Sequence, residues 1–398
     1  MGRRSRGRED LEVNVPSFFR CPISLDVMKS PVSLCTGVTY DRSSIQTWIE
    51  TGHNTCPATM QVLPTTDLVP NHTLHRLIQL WSSPSSASPS VLLRRLQSSP
   101  SGDPLPILRT LLDLSTDPHG LRELVDDPAA VPALQGVLLR EDLGLEAMEA
   151  AVCALSPVLL ARHGDGAESL ADSLTVSSLL AVLKGESLES RIAAAEILEA
   201  AAATSAAAER KLLIAGTGDL LAELLRLVRE EEEAAADAGL SCLVALSPPR
   251  QTRVEMVRAG AVAVASKLLV RPAAAGGSAA EKALKLMEVA STCSEGRAAI
   301  CEDPVAVPAI VGKMMKVSAA AREHAVVVLW SVCYLFRDRR AQEAATRGNG
   351  LMKILLLMQS NCSPATRQMA ADLIKIFRVS AKGRLTSYDS MATHITPF

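Results

Sequence analysis

Aromatic residues are scarce in this chain: phenylalanine, tryptophan and tyrosine together make up 3% of its 398 residues. Strands favour aromatic and β-branched residues, whereas alanine and leucine, which supply most of the apolar residues here, favour helices. Apolar residues make up 48% and charged residues 21% of the sequence, a composition typical of globular proteins. The sequence therefore predicts a mostly α-helical protein, long enough for two or three domains.

Other features are missing as well, and each excludes a class of protein. The sequence has no run of 18 apolar residues, so we expect no stable insertion into a membrane. The first ten residues are rich in arginine and lack the apolar segment of a secretory signal. The formal net charge of −2 argues against nucleic acid as a partner. We expect a cytoplasmic protein, and we leave the nucleus and the periphery of the plasma membrane open.

The distribution of proline, serine and arginine divides the chain. Residues 1–14 form a basic tail that we expect to be disordered, and residues 15–81 carry six prolines between short apolar runs. Such runs are typical of a small mixed α+β unit. Residues 82–90 are a Ser/Pro stretch that cannot form a core and is predicted to be a linker. A helical pattern follows over 91–380, and residues 381–398 are predicted to be a C-terminal tail.

The helical part repeats itself. Similar apolar segments recur every 42–45 residues, beginning at Val131, Val176, Leu220, Val262, Val307 and Leu351. Armadillo and HEAT repeats have periods of about 40–47 residues. A second helix follows most of these segments, with apolar residues three and four positions apart, at 146–155, 190–198, 281–290 and 323–330. We predict six or seven stacked repeats, the first beginning near Val91, with an extended groove along the stack.

Residues 15–81 contain an ordered series of short motifs. The series comprises Phe18-Phe19-Arg20-Cys21-Pro22-Ile23, Tyr40-Asp41-Arg42, Cys56-Pro57-Ala58-Thr59 and Val69-Pro70-Asn71-His72. Its order and spacing resemble a U-box, the domain of one class of ubiquitin ligases. Together with the repeats, the whole chain resembles the plant U-box–armadillo ligases. The resemblance implies a mostly α protein, in which a small, RING-like, metal-free α+β U-box precedes a right-handed armadillo-repeat α-solenoid.

The metal-bound RING domain is the alternative with a similar outline and the same activity. It requires eight Cys or His ligands arranged around two zinc ions. The candidate ligands in this unit are six scattered residues: Cys21, Cys35, Cys56, His53, His72 and His75. Six cannot fill two tetrahedral sites, so we predict no metal. We also predict no other cofactor.

The resemblance further implies a partner and a chemistry. The partner is a ubiquitin-conjugating enzyme (E2) that carries ubiquitin, and the residues that match its binding surface are Ile23, Leu25, Trp48, Pro57, Thr59 and Met60. The implied activity is that of an E3 ubiquitin transferase, an aminoacyltransferase that works as a scaffold. It therefore has no catalytic nucleophile of its own. Protein substrates would lie in the armadillo groove, and self-association is left open.

A polar network is expected to replace the missing metal. Asp41 is placed to cap a helix over Ser43–Glu50, and Asn71 to cap a helix over His72–Trp81. The resemblance adds Ser30, Tyr40 and Arg42 to this network. The apolar phase predicts a core of seven residues: Val32, Leu34, Val38, Ile45, Ile49, Leu63 and Leu74.

Met60 leaves two functions open. In many members of the family this position carries a basic or amide side chain, which donates hydrogen bonds to the E2 and to ubiquitin. A methionine side chain cannot donate them. The chain is thus either an active ligase, with an association to plant immune and stress signalling, or an armadillo adaptor with a weak or silent U-box. A repeat adaptor of the nuclear-import or junctional type is disfavoured, because tryptophan occurs only at 48, 81 and 330.

Overall fold

The computed structural model describes residues 16–82, 88–98, 102–140, 142–204, 208–271, 277–360 and 362–392. The chain forms two compact units that separate between Ser88 and Pro89. The predicted tail over 1–14 and residues 83–87 of the predicted linker lie outside the described residues. Both flanks of that linker are helical, since one helix ends at Ser82 and the next begins at Pro89.

The first unit is a small sheet with two helices. It begins with a 3-10 turn at Ser17–Phe19 and contains β1 (Pro31–Ser33), β2 (Thr39–Asp41), α1 (Arg42–Glu50), β3 (Val69–Pro70) and α2 (His72–Ser82). The strand order is β2-β1-β3, and both pairs are antiparallel. The β1–β2 hairpin turns at Gly37, whose φ of +80° is one that glycine adopts without steric cost.

The core of the first unit contains every residue that the apolar phase predicts. Val32, Leu34, Ile45 and Leu63 are buried in one cluster, and Val38, Ile49 and Leu74 pack against it. The cluster also contains Phe19, Cys21, Met28, Tyr40, Cys56 and Ile78. The helix predicted from Ser43 begins one residue earlier, at Arg42. Asp41 occupies its N-cap position, but the Asp41 side chain makes no capping hydrogen bond to the helix.

The second unit is an array of helices. In chain order they are α3 (Pro89–Ser98), α4 (Leu105–Thr116), α5 (Pro118–Asp126), α6 (Ala130–Leu138), α7 (Leu145–Ala161), α8 (Ser173–Lys184), α9 (Leu188–Thr204), α10 (Ala208–Ala215), α11 (Leu220–Val228), α12 (Glu233–Leu246), α13 (Arg250–Arg258), α14 (Ala261–Val270), α15 (Ser278–Ser291), α16 (Ser294–Glu302), α17 (Ala306–Lys313), α18 (Ala319–Trp330), α19 (Arg339–Arg347), α20 (Gly350–Gln359) and α21 (Pro364–Ala392). A 3-10 turn at Ala167–Ala171 precedes α8, and a π-helical turn at Ser331–Leu335 follows α18.

The helical repeat is confirmed. The six predicted segments correspond to α6, α8, α11, α14, α17 and α20, each of which begins within three residues of the predicted start. The second helices correspond to α7, α9, α15 and α18. At the C-terminal end, α21 runs to Ala392, so residues 381–392 of the predicted tail are helical.

A short helix before five of the six repeat segments was not predicted, and a 3-10 turn precedes the sixth, α8. α5, α10, α13, α16 and α19 are only eight or nine residues long. Most of them bury just two side chains four residues apart, such as Thr252 and Met256 in α13. In α16 the first buried position is Gly296, where a Cβ atom would lie 1.9 Å from the carbonyl oxygen of Ala290. Apolar periodicity cannot distinguish a helix with only two buried residues from a polar loop.

The array consists of layers. The long helices α4, α7, α9, α12, α15, α18 and α21 each pack on the next, and α3, α6, α8, α11, α14 and α17 form a second series of neighbours. Polar side chains join successive members of the second layer: Arg226 donates to the carbonyl of Leu183 at 2.7 Å, and Ser178 donates to that of Leu138 at 2.5 Å. Within the described part of the chain, no helix is long and apolar enough to cross a membrane.

Candidate functional site

Two loops of the first unit have the same backbone geometry. In the loop Cys21–Asp26, the N–H of Cys21 donates to the carbonyl of Asp26 and the N–H of Leu25 donates to the carbonyl of Cys21, both at 2.8 Å. In the loop Cys56–Gln61, the corresponding bonds of Cys56 and Met60 are also 2.8 Å long. The residue four positions after each cysteine has a positive φ, 64° at Leu25 and 58° at Met60. The two loops are therefore copies of one turn.

The side chains at the tips of these loops are open to solvent. The exposed fractions are 66% for Leu25, 70% for Met60 and 36% for Ile23. Thr59 is also exposed, and Pro57 is half-buried. Five of the six residues assigned to E2 binding thus lie on two matched loops, where several apolar side chains face water.

The strand β2 connects both loops through consecutive residues. The buried hydroxyl of Tyr40 lies 3.0 Å from the Cys56 sulfur and accepts a hydrogen bond from the N–H of Ala58 at 3.0 Å. The N–H of Asp41 donates to the Cys21 sulfur at 3.3 Å. Because the two contacts come from neighbouring residues, β2 holds the two loops in one arrangement.

The Cys56 thiol is the most polar part of this core. Burial raises its pKa, but hydrogen bonds from Thr36, Thr59 and Tyr40 outweigh burial and lower the pKa to about 6. The same environment raises the pKa of Tyr40 well above its ordinary value, first by burial and then through its contact with Cys56. The phenol thus remains a neutral donor at the centre of the unit.

Trp48, the sixth assigned residue, contacts the second loop from α1. Its indole N–H donates to the carbonyl of Thr55 at 2.9 Å, and its ring stacks on His53 with centroids 4.0 Å apart. The ring is half-buried and packs against the core. Trp48 therefore supports the start of the second loop through Thr55, a role that the sequence did not indicate, and its part in E2 binding stays a prediction.

The substitution Trp48→Phe separates these two roles. Phenylalanine keeps an aromatic ring but loses the N–H, so we expect the hydrogen bond to Thr55 to be lost at a cost of about 1 kcal/mol. Faster hydrogen exchange in the Cys56–Gln61 loop, with unchanged exchange in the Cys21–Asp26 loop, is the expected result. Equal exchange in both loops would contradict the supporting role.

Asp41 organises the approach to the first loop. Its Oδ1 accepts hydrogen bonds from the N–H groups of Lys29 and Ser30, each at 2.8 Å, and its Oδ2 accepts one from the Ser43 hydroxyl at 2.6 Å. Burial raises the pKa of this carboxyl, but the bonds from Ser30, Ser43 and Lys29 outweigh it and hold the pKa below its usual range. The carboxylate therefore joins the Lys29–Ser30 segment to the start of α1.

The other residues assigned to the network contribute unequally. Asn71 caps α2 as predicted, since its Oδ1 accepts from the N–H of Leu74 at 3.0 Å, and its Nδ2 reaches the Thr39 hydroxyl at 3.3 Å. Ser30 and Arg42 take part through their backbones, where the N–H of Arg42 donates to the carbonyl of Ser30 at 2.9 Å. The Arg42 side chain makes no hydrogen bond or ion pair with the described residues.

The cysteines and histidines of this unit do not form a metal centre. Among the described residues, no three side chains of His, Cys, Asp or Glu lie together in a way that could hold a metal ion. Cys21 and Cys56 are buried, and Cys35 is exposed, with its thiol 3.8 Å from the carbonyl of Thr65.

The equivalence of the two loops was missed at the sequence level, although a signal exists. Both loops read Cys-Pro, then any residue, then a hydroxyl residue, then a long apolar side chain: Cys21 to Leu25 and Cys56 to Met60. The hydroxyl residues, Ser24 and Thr59, each help to lower the pKa of their own loop's cysteine. The repeated motif could have predicted both turns.

Known proteins match both units of this chain. The profile of the U-box domain matches residues 15–86, and that of the plant U-box protein ARM repeat region matches residues 91–395. U-box domain-containing protein 28 of Arabidopsis thaliana is 39% identical, over 98% of this chain and 99% of its own length. The Arabidopsis E3 ubiquitin-protein ligase PUB23 is 27% identical over 94% of this chain and 95% of its own length.

Among solved structures, a crystal structure of an engineered protein is similar in fold. Its TM-score is 0.53 at 19% identity, and the match covers 72% of this chain and 67% of the engineered one.

Proposed function

The chain belongs to the plant U-box–armadillo family of ubiquitin ligases, and from this premise we propose that its first unit binds a ubiquitin-charged E2 through Ile23, Leu25, Trp48, Pro57, Thr59 and Met60. The single observation that carries the proposal is the pair of matched loops, which expose apolar side chains around Ile23, Leu25 and Met60. Exposed apolar residues rimmed by polar ones are typical of the centre of a small interface. The network of Ser30, Tyr40, Asp41, Arg42 and Asn71 supports this surface.

The proposed mechanism is positioning. The E2 holds ubiquitin as a thioester, and a lysine of the substrate attacks the thioester carbonyl and releases the E2 thiol. The chain contributes no covalent intermediate, which agrees with the burial of Cys21 and Cys56. Restricting two reactants to one geometry contributes at most about 7–11 kcal/mol in ideal cases, and a transient scaffold should realise far less.

The array over 91–380 has a separate task in this proposal, which is to hold the protein substrate. Stacked repeats offer a continuous surface for an extended segment. The proposal also includes a role in plant immune and stress signalling and a cytoplasmic site of action. The family's association with such signalling is the only ground for both.

Reconstitution tests the function directly. Purified protein, incubated with an activating enzyme, an E2, ubiquitin and ATP, should build ubiquitin chains on itself when no substrate is present. The reaction without this protein gives the baseline. A rate no higher than that baseline with a broad panel of E2 enzymes would contradict ligase activity.

An adaptor with a weak U-box is the second candidate, and Met60 is the observation that favours it. Met60 occupies an exposed loop tip where a donor side chain would reach outwards, but its thioether donates no hydrogen bond. If this candidate holds, Met60→Arg should accelerate discharge of the E2 thioester about 10- to 100-fold, since a charge-assisted hydrogen bond contributes about 1.5–3 kcal/mol.

Met60→Leu is the matched control, because it changes the shape of the side chain without adding a donor. Discharge by the wild type that is clearly above the baseline and only modestly raised by Met60→Arg supports the active ligase. Discharge that is undetectable until arginine is introduced supports the adaptor. A rate that Met60→Arg leaves unchanged would show that this position does not limit activity.

A further inference from the structure

A cavity of about 350 Å³ lies between the long helices α7 and α9 of the array. Its apolar wall includes Pro157, Leu188, Ile192 and Ala193, and its polar rim includes Glu189 and Glu196. Its volume falls within the range of ordinary ligand pockets. The proposed function uses only the array as a whole, so the task of this cavity is unassigned.

The carboxylates around this cavity lack cationic partners. Burial raises the pKa of Cys153, which lines the cavity, and the negative charges of Glu189, Glu149 and Glu196 raise it further, so all three carboxylates lie near this thiol. None of the three forms an ion pair with the described residues. Glu196 accepts a hydrogen bond from the Ser156 hydroxyl at 2.5 Å, but that bond brings no charge.

Pro157 makes a further hydrogen-bond acceptor available beside the cavity, the backbone carbonyl of Cys153. Pro157 lies inside α7 and has no N–H, so the carbonyl of Cys153 loses its donor within the helix. Both residues line the cavity. The site thus offers carboxylates and a helix carbonyl beside an apolar wall, which suits the cationic head and methylene stem of an arginine or lysine side chain.

The negative charge continues across the neighbouring helices. Glu199 on α9 and Asp237 on α12 extend the row, and Lys282 of α15, the cation beside them among the described residues, is already bonded to Asp237 at 2.5 Å. The one basic residue on α7, α9 and α12 is Arg191, which is buried and paired with Glu230 at 2.8 Å. A partner with several cations would neutralise this row.

We propose that the α7–α9–α12 face of the array binds an extended, arginine- or lysine-rich segment of a protein substrate, with one basic side chain in the α7–α9 cavity. This inference rests on the proposed function and specifies its substrate class. Packed helices are about 8–10 Å apart, and an extended chain advances about 3.3 Å per residue. Basic residues three positions apart therefore match the spacing of the helices.

Peptide binding to the full chain tests this proposal. The probe is a fluorescein-labelled 12-residue peptide with arginine at every third position and serine elsewhere, and the control peptide has glutamine in place of arginine. The double variant Glu189→Gln, Glu196→Gln should weaken binding of the arginine probe at least tenfold, as read by fluorescence anisotropy. The matched control is Glu231→Gln, Glu232→Gln, which removes the same charge from two exposed residues outside the cavity and should change the affinity less than twofold.

A second readout reports on the cavity itself. Bound arginine probe should protect Cys153 from alkylation, while the exposed Cys35 remains reactive and serves as the internal reference. Equal weakening in both double variants, binding without protection of Cys153, or no binding of the arginine probe would each overturn the proposal. Binding that emerges only when Arg3, Arg4, Arg6 and Arg8 are replaced by glutamine would assign the cavity to the chain's own N-terminal segment, which also overturns it.

The two proposals fail in different ways. A chain that builds ubiquitin chains on itself but does not bind the arginine probe would contradict the peptide site and leave the ligase function standing. Conversely, a chain that builds no ubiquitin chains but still binds the arginine probe would contradict the ligase function and leave the peptide site standing.

Discussion

Replacement of Ile23 by alanine should reduce the affinity of the chain for its E2 between about 30-fold and 1000-fold, the effect of losing about 2–4 kcal/mol at the centre of an interface. Ile23 is 36% exposed, so part of its side chain faces water at the first loop while the rest is held against the unit. An apolar anchor of this kind has a defined position before binding, which lowers the entropy cost of association. Ubiquitin-chain formation at low E2 concentration should fall in parallel.

The control for Ile23→Ala is Leu77→Ala. Leu77 is 47% exposed and lies on α2, outside both loops and α1, and its truncation removes a side chain of the same size. Both substitutions should change the free energy of unfolding by less than about 0.5 kcal/mol, as exposed positions usually do. If thermal unfolding is unchanged and E2 binding is lost in both variants, or in neither, the assignment of Ile23 to the interface is contradicted.

The helical array could be predicted in most of its detail because its information is local. Each repeat segment, such as the one at Val131, buries a stripe of leucine and valine that the 3.6-residue period reveals. The short helices escaped because tertiary packing, and not their own pattern, makes them helical. In α16 only Gly296 and Ile300 are buried, and the glycine is required by the carbonyl of Ala290 at the end of α15, a close approach that apolar periodicity does not reveal.

The site was less predictable than the fold for a different reason. Asp41 lies just before a helix, so local rules predict a cap, yet its carboxylate accepts N–H bonds from Lys29 and Ser30, which are 12 and 11 residues away. Positive φ values at Leu25 and Met60 are equally unexpected, since side chains of this size rarely adopt them. The two backbone hydrogen bonds of each loop hold Leu25 and Met60 in this conformation. A propensity scale does not contain that information.

Asp41 carries the second large effect, and its contribution depends on pH. The pKa of the carboxyl is below its usual range in the folded protein, and an unfolded chain has the ordinary value of about 3.9. A depressed pKa means that the folded state favours the ionised form. The resulting stability is complete well above pH 4 and is lost as the pH falls through the folded-state pKa. The sign follows from the three donors, Lys29, Ser30 and Ser43, which prefer a negatively charged acceptor.

The substitution Asp41→Asn should therefore destabilise the first unit by about 1.5–3 kcal/mol at neutral pH, the usual contribution of a hydrogen bond to a charged group. A unit of this size has little stability to spare, so the amides of Lys29 and Ser30 should exchange with deuterium about 10- to 100-fold faster. Asp26→Asn is the matched control, because Asp26 is exposed and its carboxylate makes no hydrogen bond with the described residues. The advantage of the wild type over Asp41→Asn should shrink as the pH is lowered below about 4. An advantage that grows on acidification would show that the carboxyl is held in its neutral form, and that the network works in the opposite sense.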